Sequence, residues 1–102
     1  MVDLAHTAGT RLERYTEKRP QEVLLVMTEV DGVVDQVAIF RGFSSSLVRS
    51  TAFDPDLPVL PDHAIIQAID RLHSPYNPSE PRYIQQGITW EAMQPLLEAA
   101  GV

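Results

Sequence analysis

Two periods of hydrophobic and polar positions divide this chain into elements. Around Arg11 to Lys18 the period is helical. Leu12 and Tyr15 fall on one side, while Arg11, Arg14 and Lys18 share another. Thr10 followed by Glu13 fits a capping box, in which each side chain satisfies a free backbone N–H of the other's residue. Pro20 disfavours helical geometry at Arg19, so the helix should stop near Lys18.

The period then changes to two. In EVLLVMTEV-DG-VVDQVAIFRG, Asp31-Gly32 separates two β-rich runs and predicts a two-residue hairpin turn, whose positions both require positive φ. With Val30 opposite Val33, the register sets Val26 against Val37, Leu24 against Ile39 and Glu22 against Arg41. One face carries Leu24, Val26, Val30, Val33, Val37 and Ile39. The other carries Val23, Leu25, Ala38 and Phe40 away from the turn, and Met27, Gln36 and Glu29 near it. Apolar residues on both faces of the open end predict a cover on each side, supplied by a terminal helix.

Gly42 marks a bend, and a third strand is expected over Leu47 to Phe53. HAIIQAIDRL predicts a fourth strand from Ala64 to Leu72. Ile65, Ile66, Ile69 and Leu72 also fit a helical stripe, but the isoleucines, the short length and the proline-rich flanks favour a strand. SPYNPSEP, with prolines at 75, 78 and 81, predicts an extended connection. Thr89 then caps a C-terminal helix with Trp90, Met93, Leu97 and Ala100 on one face, Pro95 disturbing its first turns and Gly101 stopping it. The expected fold is α+β: a small, strongly bent antiparallel sheet of four to five strands with an N-terminal and a C-terminal helix. Its most specific form is a barrel of the SH3 or Sm type. Residues 1–9 show no firm pattern and are expected to be mobile, with residues 10–102 forming one domain.

Composition narrows the chemistry. A chain of 102 residues builds one modest core. With no cysteine, disulfides and thiolate metal sites are excluded. No apolar run approaches the roughly 20 residues that span a bilayer, and the start lacks the basic-then-apolar order of a signal peptide, which points to the cytoplasm. The formal charge of −6 is uneven. Residues 1–20 set Arg11, Arg14, Lys18 and Arg19 against three acids, whereas the remainder sets four arginines against eleven acids. An acidic body repels a phosphate backbone, so nucleic-acid or ribosome binding would rest on the Arg11, Arg14 and Lys18 stripe. The plainer reading of that stripe is a solvated helix face.

Candidate catalytic and metal residues are few. Asp54, Asp56, Asp62 and His63 in TAFDPDLPVLPDH have donor atoms suited to a divalent ion, and a metal-dependent hydrolase would use Asp54, Asp56 and His63. Their spacing does not match a calcium loop. The aspartates can instead bond their own turns, while Pro55, Pro58 and Pro61 stiffen the segment. Ser44, Ser45 and Ser46, with His6, His63 and His73 elsewhere, lack the strand-to-helix context of a nucleophile elbow and read as a polar turn. No catalytic residue, metal ligand or cofactor is therefore assigned. Pro78, Pro81 and Arg82 have the spacing of a proline-rich ligand but lie inside the domain. Tyr76, Tyr83 and Trp90 could form an exposed aromatic patch or a satellite core. Tyr76 and Tyr83 are the stronger candidates for contact with a partner, because Trp90 shares a side with Met93 and Leu97.

Taken together, RPQEVLLV, IFRGFSSSL, TAFDPDLPVLP and SPYNPSEPRYIQQGITW resemble a small uncharacterised protein family shared by cyanobacteria and plant and algal plastids, over about Arg11 to Val102. The resemblance brings no catalytic residues. It implies a role near oxygenic photosynthesis or plastid gene expression, and a cytoplasmic or stromal location with thylakoid association through a partner. The function expected is a non-enzymatic accessory or assembly protein that binds a larger protein complex.

Overall fold

A computed structural model describes residues 8–30, 32–46 and 64–102. The order of elements is α1 (Ala8–Lys18), β1 (Glu22–Val30), β2 (Val33–Phe40), β3 (Phe43–Ser46), β4 (Ile65–His73), β5 (Tyr83–Ile88) and α2 (Trp90–Ala99). The strands form one antiparallel sheet in the order β3-β2-β1-β4-β5. The α+β class is as expected, but the sheet does not close into a barrel. β3 and β5 stand at opposite edges, and two helices cover the apolar face that a barrel would roll inward.

The β1–β2 hairpin has the register read from its turn, with Val30 opposite Val33, Val26 opposite Val37 and Leu24 opposite Ile39. Gly32 adopts φ +81°, as the turn demands. The expected Glu22–Arg41 pair is not formed. Arg41 belongs to the next turn, in the left-handed region at φ +49°, with its guanidinium over the Phe40 ring. Phe40 and Phe43 pair directly across Arg41 and Gly42, so these two residues form a second tight hairpin turn rather than a bend. That turn makes Ser44, Ser45 and Ser46 a strand paired with β2, not a polar turn. The third strand thus begins at Phe43; residues 47–53 lie outside the described residues. The isoleucine-rich segment is a strand, as expected, and pairs with β1.

α1 starts at Ala8, ahead of Thr10, so the capping box is not its beginning. Gly9 is buried three residues before Leu12 and extends the inward stripe of Leu12, Tyr15 and Thr16 by a turn. An 11-residue helix is marginal alone in water. Burial of Leu12 and Tyr15 against the sheet is what holds it, at about 1.5–3 kcal/mol for each large side chain removed from water. α2 is capped by Thr89, whose hydroxyl accepts from the Ala92 N–H at 3.1 Å. It ends in a Schellman motif. Gly101, at φ +79°, donates to the Glu98 carbonyl, and Val102 donates to that of Leu97.

Both helices contribute to one core cluster. Leu12 and Tyr15 of α1 and Met93, Leu97 and Ala100 of α2 meet Leu24, Val26, Val37, Ile39, Ile69 and Ile88 of the sheet. The expectation that the helices cover both faces of the hairpin is therefore corrected. Val23, Leu25 and Leu72 are buried on the reverse face, outside that cluster. Leu72 pairs with Val23 on one side and with Tyr83 on the other, and Phe40 pairs with Phe43. Val23 and Leu72 are buried, whereas Phe43 and Tyr83, on the two edge strands, are exposed.

Candidate functional site

The basic stripe on α1 is largely spent on the fold. The Arg11 guanidinium lies over the Trp90 ring, donates to Gln94 Oε1 at 2.8 Å and reaches the Val102 carbonyl at 3.3 Å. It pins α1 to α2. Arg14 and Lys18 sit on the exposed side of the helix. On the opposite flank α1 grips the β2–β3 turn. Thr16 Oγ1 accepts from the Gly42 N–H at 2.9 Å, and Ser44 Oγ donates to Glu13 Oε2 at 2.7 Å. Ser44 thus partners a glutamate, while His73 lies at the end of β4, separated from β3 by β1 and β2. His6, Asp54, Asp56, Asp62 and His63 lie outside the described residues. Among the described residues no three His, Asp or Glu side chains converge on a possible metal site.

A buried polar group links α1 to the far edge of the sheet. Tyr15 donates to Glu22 Oε1 at 2.9 Å, and the Arg71 guanidinium grips both Glu22 oxygens, Nε to Oε1 at 2.8 Å and Nη2 to Oε2 at 3.0 Å. Arg71 Nη1 continues to Gln85 Oε1 at 3.2 Å. Glu22 is matched by Arg71, two positions before His73 along β4, not by Arg41. Burial, then the bond to Glu22, pushes the Tyr15 hydroxyl up to about 12. The bond to Glu22 raises Arg71 further, so its charge is permanent. Every buried side-chain polar atom among the described residues is partnered, those of this group included.

The aromatic candidates separate. Trp90 packs against the core under Arg11 on the helix face. Tyr76 is half-buried in the β4–β5 connection. That connection is not fully extended, because Asn77 forms a turn: its carbonyl accepts from the Glu80 N–H and its Oδ1 from the Ser79 N–H. Pro78 and Pro81 are thus parted by a turn and do not form a continuous proline helix. Tyr83 is the exposed one, at 43% of its surface, and its neighbour Ile84 follows at 37%. Both open β5, a strand that follows directly on the connection expected over residues 74–81. Among the described residues β5 is an edge strand. It carries one extra residue, Ile84, between the Leu72–Tyr83 and Arg71–Gln85 pairs, and another opposite Asp70. Arg82, also exposed, precedes them and accepts from the His73 N–H through its carbonyl at 2.8 Å.

A family model, described as a domain of unknown function (DUF7734), matches residues 9–97. The chain belongs to this family. It is an uncharacterised one, as the resemblance implied. No curated protein and no solved structure matches the chain. In this DUF7734 member the match takes in the five strands and all but the outer ends of both helices, including the Tyr15–Glu22–Arg71 group and the β5 edge. Among the described residues, no helix is long and apolar enough to cross a membrane.

Phe43, exposed at 78%, had no place among the sequence candidates. The signal was present: it follows Arg41-Gly42 directly, and a two-residue turn there sends Phe43 to the face of Phe40 at the sheet edge. Val33, Val34 and Ile65 are the other large exposed aliphatics on β2 and β4, with Glu29 between Val34 and Ile65.

Proposed function

We propose that the chain is a non-enzymatic binding module that docks onto a partner protein through Tyr83 and Ile84. The observation that carries this is the adjacent exposure of a tyrosine and an isoleucine on a strand anchored to the core by Ile88. Exposed apolar residues standing singly are ordinary, which is the position of Phe43. Valines are under-represented among the residues that dominate binding energy, whereas tyrosine is enriched. Tyr83 with Ile84 and the neighbouring Arg82 is the composition of an interface anchor. Arg11, by contrast, is occupied within the fold, which leaves a nucleic-acid reading with less of its charge. The accessory or assembly role in a larger complex follows from this reading, and its photosynthetic setting rests on the family resemblance.

A photo-reactive amino acid at position 83, activated in native extract, should capture one predominant protein, absent when it is placed at the exposed Glu98. Equal, diffuse labelling from both positions would defeat the proposal.

A further inference from the structure

β5 poses a register problem. A strand at an edge is held from one side only, and an uncharged run such as YIQQGI slips easily. Here it carries two extra residues relative to β4. Bulges are devices that bend an edge and re-aim its side chains, and they persist only where something fixes them. Two side chains of β4 do so. Asp70 Oδ1 accepts from the N–H of Gly87 at 2.9 Å, and Gly87 adopts φ +67°, open to glycine without strain. Arg71, itself held by Glu22, reaches Gln85 with its remaining nitrogen at 3.2 Å. The Asp70 lock lies within the irregularity opposite Asp70 itself, and the Arg71 lock sits between the two.

We propose that Asp70 and Arg71 are positioning residues that lock β5 in its doubly bulged register, so that the edge presents Tyr83 and Ile84 side chains to a partner and withholds its backbone from strand addition. This rests on the reading of Tyr83 and Ile84 as the docking site. The Gly87 N–H is already engaged by Asp70, and the extra residues break the regular spacing that an added strand would need. Recognition therefore runs through side chains. The partner this fits has an apolar depression for Tyr83 and Ile84 and a carboxylate facing Arg82, the exposed cation beside them in an otherwise acidic body.

The test compares D70A, D70N and Q85A with the wild type by NMR, reading the cross-strand contacts Ile69–Ile88, Arg71–Gln85 and Leu72–Tyr83. Asn keeps a side-chain oxygen acceptor, so D70N should retain the wild-type contacts. D70A and the double variant D70A/Q85A should lose the Leu72–Tyr83 contact and gain shifted ones, with β1–β2 contacts unchanged. Sedimentation of the same variants should show self-association only where the bulges are lost. Wild-type contacts in D70A/Q85A would overturn the proposal, as would D70N behaving like D70A or wild-type chains pairing through β5. Failure of the docking reading looks different: the contacts shift as described, but partner capture at position 83 is absent in the wild type.

Discussion

The Tyr15 hydroxyl donates to the Glu22 carboxylate at 2.9 Å, from a helix to the first residue of the central strand. Both residues are buried, and the neutral phenol is the form that the site accepts. Tyr15 should therefore keep its proton to about pH 12, against about 10 in the unfolded chain. A raised folded value means its stabilisation is complete below pH 10 and is lost as pH climbs through 12. Across that window the wild type should lose on the order of 2–3 kcal/mol more than Tyr15→Phe, by denaturant titration at each pH. Parallel pH profiles would show that Tyr15 ionises as freely folded as unfolded.

Arg71 is the only cation bonded to Glu22 among the described residues. Glu22 is buried and Arg71 partly so, and removing the arginine leaves the carboxylate unmatched, at up to about 3–5 kcal/mol. Arg71→Met should lower the unfolding free energy by up to that amount. Because the penalty comes from the stranded carboxylate, adding Glu22→Gln should recover part of it. A double variant as unstable as the sum of the singles would place the effect in packing instead.

Gly32 has open space around a would-be side chain but sits at φ +81°. Strain alone should then set the outcome, and Gly32→Val should destabilise by about 1 kcal/mol or more. Gly32→Asn, which tolerates this region better, should lose less. Equal midpoints for the three proteins would contradict the positive φ.

Legibility followed locality. The Asp31-Gly32 hairpin could be read because the turn dipeptide and its flanking alternation lie in one window, and its register came out as read from Val30–Val33 to Leu24–Ile39. The C-terminal helix, with Thr89 before it and Gly101 after it, was equally local. Arg41-Gly42 escaped because arginine is an uncommon occupant of a left-handed turn position, and stacking on Phe40 accompanies it here. Glu22 was assigned the wrong arginine for a related reason. The hairpin offered Arg41 nearby, but β4 returns beside β1 and brings Arg71 from 49 residues away. Of the candidate site, tyrosine at 83 was legible as residue chemistry. Its place on an edge strand was not, since β5 has no alternation and its register depends on Asp70 and Arg71 of another strand. The basic stripe showed the converse: spacing identified the face, but only the packing of α2 shows Arg11 bound to Gln94 and Val102.

Docking through the β5 edge can be measured by quantitative recovery of the partner from native extract with wild-type chain, Y83A/I84A and R14A/K18A. Tyr83 and Ile84 are exposed, so their truncation should shift the melting temperature by no more than a few degrees, whereas truncating a packed aromatic costs about 3–5 kcal/mol. Y83A/I84A should lose at least tenfold in recovery, about 1.4 kcal/mol or more in binding, and R14A/K18A should be recovered as the wild type is. Full recovery with Y83A/I84A, or loss confined to R14A/K18A, would contradict it.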